Sequence, residues 1–179
     1  RAEILPWLPR REDGTALRIL DLGTGAGFFA ILLAQAGCEV TGVDLSEGML
    51  AQAAALADEA GCSVDWRCMS ATELDFGDAS FDGVLARNLT WTLTDPEAAY
   101  AEWLRVLRPG GVLLYSTCTI LRRENEAVAE DFLRTHPDFV PENAPWPEGS
   151  GIAPGAMVTL LPGQHETDGF FICKFRRKP

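Results

Sequence analysis

An α/β fold on a largely parallel sheet is predicted by three features of the sequence. Short β-like apolar runs alternate with longer helical stretches over the first two thirds of the chain, the pattern of parallel strands joined by crossover helices. The first strand-to-helix junction, Asp21-Leu22-Gly23-Thr24-Gly25-Ala26-Gly27, is crowded with glycine. A later run, Val112-Leu113-Leu114-Tyr115-Ser116, is apolar enough to sit in the middle of a sheet.

Each element follows from local chemistry. Residues 1–8 read as the end of a helix stopped by Pro6 and Pro9. A first strand is expected over 17–21, a helix over 28–36, and a second strand over 39–44. The helix over 46–60 has Ser46 as its N-cap and Gly61 as its stop. Strands at 63–68 and 81–87 flank an acid-rich connection. Asp95-Pro96 opens a helix over 97–107, with the aspartate as cap and the proline in the first turn. Arg108-Pro109-Gly110-Gly111 breaks that helix before the fifth strand, 112–116. A helix over 124–135 ends before His136-Pro137, and 141–155, rich in proline and glycine, reads as a loop or lid. The last two strands, 156–161 and 170–175, are joined by a connection too short for a helical crossover, so they are antiparallel neighbours.

With 179 residues, 47% of them apolar, residues 1–179 suit a single domain. No run approaches the roughly 18 to 20 apolar residues of a membrane span, and the N-terminus lacks a signal-peptide pattern, so a cytoplasmic protein without membrane partners is expected. The chain begins at Arg1 rather than methionine, which leads us to expect residues upstream. Five cysteines, Cys38, Cys62, Cys68, Cys118 and Cys173, form no C-x-x-C pair. Reduced thiols and no metal site follow. The net charge of −11 disfavours RNA as a partner, since phosphate binding draws on Lys and Arg, but it leaves RNA open. Acids crowd 58–82, while Arg122-Arg123 and the tail Lys174, Arg176, Arg177 and Lys178 are basic; solvated faces explain both.

The glycine junction carries the functional information. Closely spaced glycines let the backbone turn sharply and approach a ligand, and the helix that follows presents unpaired N–H groups. Asp44, seventeen residues past Gly27, closes the next strand, where a carboxylate can accept both hydrogen bonds of a ribose diol. The dinucleotide fingerprint would place a third glycine where Phe28 stands. Asp21, two residues before the first glycine, would repel a phosphate but favours a cationic or zwitterionic ligand. A nicotinamide enzyme is thereby the less favoured alternative.

In this form, D-x-G-x-G-x-G, the junction resembles motif I of class I S-adenosylmethionine-dependent methyltransferases. The resemblance implies a Rossmann-like seven-stranded sheet in the order 3-2-1-4-5-7-6, with strand 7 antiparallel and helices on both faces. It implies S-adenosylmethionine as cofactor, held by Asp21, Gly23, Thr24, Gly25, Gly27 and Asp44, with Leu45 and Met49 packed on the adenosine. Met49 reads equally well as a core residue. Ser70-Ala71 stands where the family usually binds the adenine amino group through an aspartate, and serine is the weaker acceptor. Arg87, at the end of the fourth strand, completes the expected cofactor set.

The two parts of the chain resemble different branches of that family. From Ile19 to Leu114 the chain is similar to small-molecule methyltransferases of the ubiquinone-biosynthesis type. The motifs are Asp21–Gly27, Val43-Asp44-Leu45-Ser46-Glu47-Gly48-Met49-Leu50, Phe81-Asp82-Gly83-Val84 and Leu104-Arg105-Val106-Leu107-Arg108-Pro109-Gly110-Gly111. From Tyr115 to Phe175 it resembles Sun/Fmu-type RNA cytosine-5 methyltransferases, through Tyr115-Ser116-Thr117-Cys118-Thr119-Ile120, Glu124-Asn125-Glu126, His136-Pro137-Asp138-Phe139 and Leu161-Pro162-Gly163-Gln164-His165. That branch implies Cys118 as a nucleophile that adds to carbon 6 of cytosine. Its releasing cysteine, in an Asp-Ala-Pro-Cys motif after the fourth strand, is replaced by Arg87-Asn88-Leu89-Thr90.

Three functional readings therefore stand. The first is methyl transfer to a small-molecule acceptor, with Asn88 at the reacting end and Trp91 and Arg87 lining its pocket, although Trp91 also reads as core. The second is RNA cytosine-5 methylation through Cys118. The third is a recombined or designed chain, joined near 114–115, that keeps the fold without a natural substrate. His136 reads as structural, and His165 either as an exposed turn residue or as a base at the mouth of the site.

Overall fold

Five parallel strands, β1 (Arg18–Leu22), β2 (Glu39–Asp44), β3 (Asp65–Cys68), β4 (Phe81–Arg87) and β5 (Leu107–Thr117), lie in the order β3-β2-β1-β4-β5. The computed structural model describes residues 5–179 apart from Arg10, Glu12, Pro147 and Glu166. The strand order reverses direction between β1 and β4, and the crevice outside the carboxyl ends at such a switch point is where open α/β sheets bind ligands.

Helices cover both faces, as expected. On one, Leu20, Leu22, Val84 and Leu113 pack with Trp103 of α3 (Pro96–Val106) and Phe132 of α4 (Glu126–Thr135). On the other, Ile19, Val40 and Leu85 pack with Ala30 and Leu33 of α1 (Phe28–Gln35). Alternate side chains along β1 serve the two faces, so one short strand feeds both cores. The predicted caps form. Ser46 Oγ accepts from Met49 N–H at 3.3 Å at the start of α2 (Glu47–Glu59), and the Asp95 carboxylate accepts from Ala98 N–H at 3.0 Å.

Three boundaries differ from expectation. The Arg108-Pro109-Gly110-Gly111 segment does not separate helix from strand: α3 runs directly into β5 at Leu107, and the four residues form a bulge within it. Phe81 pairs with Leu107 while Gly83 pairs with Val112, so the partner strand is skipped across the bulge. Gly111 is required there, because a Cβ would lie 2.6 Å from Leu107 Cδ1 and 2.9 Å from the Asp82 carbonyl. The helix expected from Glu124 starts at Glu126, since 122–124 form a 3-10 turn and Asn125 is non-helical. Of the helix end expected over 1–8, residues 1–4 lie outside the described residues, and Leu5–Trp7 is one 3-10 turn.

The fully buried Asp82 ties this end of the sheet together. Its carboxylate accepts from Arg18 N–H at 2.8 Å and pairs with Arg11 at 2.9 Å and with Arg108 of the bulge. Burial, the largest influence, pushes its pKa up, yet the bonds from Arg11, Arg18 and Arg108 together hold it below the ordinary 3.8.

Beyond β5 the sheet turns antiparallel. β8 (Phe170–Arg177) pairs with β5, and β7 (Met157–Leu160) pairs with β8, forming the predicted terminal hairpin. An eighth strand was not expected. β6 (Phe139–Pro141) pairs with the far end of β8, so β6 and β7 lie end to end along one edge. Pro141 hid this strand from sequence reasoning, because proline donates nothing to a ladder; an edge position tolerates it. Between the two strands, Glu142 N–H donates to the Lys174 carbonyl (3.0 Å) and Lys174 N–H to Ala156 (2.9 Å). The Lys174 ammonium, almost fully buried, reaches Glu142 at 2.5 Å. Among the described residues no helix is long and apolar enough to cross a membrane, and all five cysteines are free.

Candidate functional site

The loop between β1 and α1 brings the predicted glycines to the switch point. Gly23, Gly25 and Gly27 all adopt left-handed φ, of 63°, 56° and 79°, where a side chain is strained. Their surroundings separate their roles. A Cβ on Gly27 would meet the Trp66 ring at 2.7 Å and Ala53 at 3.0 Å, and one on Gly23 would meet Leu89 at 2.9 Å. At Gly25 only Met49 Cε comes near, at 3.6 Å. Gly27 and Gly23 thus serve packing, whereas Gly25 keeps an open face for a ligand.

Asp21 and Asp44 shape the loop from beneath. Thr24 Oγ1 donates to Asp21 at 2.7 Å, and Thr24 N–H donates to Val43 of β2 at 2.9 Å. Burial pushes the Asp21 carboxyl up to about 6, restrained by the Thr24 bond and the charge of Arg87. Asp44 accepts Gly25 N–H and Ser46 N–H, each at 2.9 Å, one on each oxygen. Each oxygen keeps a second lone pair for a ribose hydroxyl.

The residues expected beside the adenosine differ in exposure and bonding. Leu45 is 73% exposed and Met49 37%, so Met49 belongs to the loop's surroundings rather than the core. Ser70 does not offer a free hydroxyl. It bonds the Thr72 hydroxyl at 2.7 Å and accepts Thr72 N–H at 3.2 Å, closing a local turn. Ala71 is buried, and its carbonyl accepts the Trp103 indole N–H at 2.9 Å. Arg87 lies over the Phe29 ring of α1 at 5.1 Å and, contrary to expectation, is not among the residues lining the cavity beside the β1–α1 loop.

That cavity, about 940 Å³, opens between α3, α4 and the carboxyl ends of β4 and β5. Asn88 and Cys118 both line it, as do Trp91, Tyr100, Tyr115 and Phe132. Asn88 has φ 54°, a left-handed conformation that asparagine tolerates better than most residues. Its N–H donates to Ser116 at 2.8 Å, and its Oδ1 is buried without a hydrogen-bond partner among the described residues. Such an atom costs stability unless a ligand or water satisfies it. Trp91, 76% exposed, is not a core residue.

Sequence reasoning missed the groups that fix this wall. Asn125, fully buried, accepts from Thr117 Oγ1 at 2.6 Å and donates to the Thr119 carbonyl at 2.9 Å, bracketing Cys118. Tyr115 donates to the Glu124 carbonyl at 2.7 Å and lies 3.2 Å from Thr90 Oγ1. An asparagine just before an apolar helical stretch signals a cap, not a clamp on a distant strand end, so only the fold reveals this role. The two histidines are placed differently, His136 in the cavity wall and His165 outside it. His165 Nδ1 accepts Leu161 N–H at 3.0 Å within its own turn, and His136 stacks on Phe132 at 4.6 Å.

Comparison with known proteins matches this division. Residues 20–115, more than half the chain, match the family described as methyltransferase domain, and residues 98–176 match the 16S rRNA methyltransferase RsmB/F family. The chain is similar to a ubiquinone biosynthesis O-methyltransferase of Idiomarina loihiensis, 37% identical over 115 residues, covering 63% of this chain and 47% of that protein. It is also similar to ribosomal RNA small subunit methyltransferase B of Thermus thermophilus, 33% identical over 182 residues, covering 89% of this chain and 45% of that protein. The chain thus spans about half the length of these relatives. Among solved structures, NSun6 from Pyrococcus horikoshii shares the fold at a TM-score of 0.74 and 24% identity, over 91% of this chain and 48% of that one.

Proposed function

We propose, from the premise that the chain belongs to the methyltransferase domain family, that it binds S-adenosylmethionine in the β1–α1 loop and methylates a small-molecule acceptor in the adjoining cavity. The observation that carries this reading is the placement of Asn88, which lines the cavity at the end of β4, the strand beside β1 and its loop. The loop fits the donor: Gly25 leaves room for it, Asp44 can accept its ribose hydroxyls, and Asp21 offers a carboxylate to a zwitterion. When bound, S-adenosylmethionine supplies a sulfonium methyl, whose carbon–sulfur bond breaks with its electron pair left on sulfur as an acceptor lone pair bonds to carbon. The chain's part is to align acceptor and donor and keep water out. Five free thiols suit a reducing, cytoplasmic setting.

Calorimetry with S-adenosylhomocysteine tests the donor site. Binding should be clear in the parent protein and lost in Asp44→Ala, and undiminished binding in that variant would sink the reading.

RNA cytosine-5 methylation is the second reading, favoured by Cys118 in the cavity wall and by the similarity to the Thermus methyltransferase along most of the chain. Against it stand the net charge and the absence of a second cysteine beside Asn88. Labelled methyl transfer to RNA that survives Cys118→Ser would count decisively against this mechanism. Residues 1–179 form one domain in this reading, in which the two resemblances meet near Leu114-Tyr115, inside β5 of the single sheet.

A further inference from the structure

We propose that the acceptor cavity selects an organic cation, an amine carried on an apolar or aromatic body, over neutral and anionic molecules of the same shape. This rests on the small-molecule reading above and names its substrate class.

Charge is the first argument. Glu97, Glu124 and Asp131 line the cavity, and Arg123 is the one Lys or Arg among its lining residues. The Arg123 guanidinium reaches Glu124 at 3.3 Å, so its charge is met locally. Asp131 is bound by Arg134 from the same helix at 2.5 Å. Glu97, in the first turn of α3, has neither a hydrogen-bond nor a salt-bridge partner among the described residues, leaving a carboxylate facing the cavity. An anionic ligand would be repelled by this exposed carboxylate, whereas a cation would complete the pair.

Aromatic faces are the second argument. Tyr100 stands one turn beyond Glu97 on α3, so the two share a face of the helix. Phe132 of α4 comes within 5.8 Å of the Tyr100 ring, closing an aromatic floor under the cavity. Trp91, largely exposed on the rim, adds the ring type that attracts cations best. Asn88, which also lines the cavity, adds a neutral polar group and no positive charge. The acid and the aromatic faces complement the same chemistry, and neither complements phosphate or carboxylate.

The test is a ranking of three probes with a common ring, phenethylamine, 2-phenylethanol and phenylacetate, titrated calorimetrically at pH 7 into the protein saturated with S-adenosylhomocysteine. Phenethylamine should bind roughly tenfold more tightly than 2-phenylethanol, with phenylacetate weakest. Glu97→Gln should cut the amine-over-alcohol ratio several-fold while leaving S-adenosylhomocysteine affinity as in the parent. Equal binding of amine and alcohol, preference for phenylacetate, no amine binding at millimolar concentration, or a ratio untouched by Glu97→Gln would each overturn the proposal. The S-adenosylhomocysteine titration is read separately: its failure would remove the donor site and with it the methyltransferase reading, whereas the probe ranking, repeated without it, judges the cavity itself.

Discussion

The proposed donor loop and the residues around it come from 21–49, one stretch of β1, α1, β2 and the first turn of α2, whereas the cavity collects Asn88 and Cys118 from just beyond β4 and β5, Tyr100 from α3 and Phe132 from α4. The first depends on backbone conformation at three left-handed glycines, and the second on side chains held by long-range bonds such as Thr117 to Asn125. A site made of backbone is insensitive to most substitutions but intolerant at a few glycines. One made of side chains can change its ligand without changing its fold.

The largest effect is expected at the opposite, amino-terminal end of β1 and β4, on which both regions stand. Asp82→Ala leaves Arg108 and Arg11 facing a buried void, and should cost about 3–5 kcal/mol in urea unfolding. A single transition is expected, and two separate ones would show that donor and acceptor regions fold apart. Because the folded carboxyl is held below 3.8, its contribution is complete above that pH and is lost as pH falls through the lowered value.

Next come the glycines. Gly25→Val should weaken S-adenosylhomocysteine binding by about 100-fold (~2.7 kcal/mol) with a small drop in melting temperature. Gly27→Val, pressed against Trp66 and Ala53, should instead lower the melting temperature first, at a cost of roughly 2–4 kcal/mol. Equal stability losses in the two would erase the distinction between ligand face and packing face.

Acidity probes the donor loop alone. Burial raises the Asp21 carboxyl to about 6, and a donor ammonium favours its ionised form, so donor binding expels a proton below that pH. Affinity for S-adenosylhomocysteine should be level above pH 7 and fall by up to about tenfold per unit well below 6. Asp21→Asn should abolish this dependence, while the amine preference of the cavity should not follow the same curve. The smallest effect concerns the adenine end: Ser70→Asp replaces a hydroxyl already engaged with Thr72 by a carboxylate, and should raise donor affinity roughly 3–10-fold.

How far the sequence could be read follows the same division. Gly23, Gly25, Gly27 and Asp44 were recognisable because their spacing along one strand-loop-helix-strand unit is their geometry. The parallel sheet and both caps, Ser46 and Asp95, were legible for the same reason. Asn125 was not, since its partners Thr117 and Thr119 are joined to it only by the way the chain leaves β5. Ser70 was identified by position, but its engagement with Thr72 was invisible, because a turn two residues long leaves no periodic signal. The bulge at 108–111 reads as a break because glycine and proline mark both alike; the pairing of Phe81 with Leu107 decides between them.

The paired arrangement of β6 and β7 bears on how molecules of this protein meet one another. Together with the backbone bonds of Lys174, they cover β8 from Phe170 to Arg177, so the sheet edge on this side is split into strands of three and four residues, the first ending in Pro141. The opposite margin, β3, is four residues long and exposes the Asp65–Arg67 ion pair (2.9 Å). Short length and exposed charge both discourage strand addition. Self-association through sheet extension is therefore disfavoured at either end, and two copies that do meet would have to do so through helices or loops.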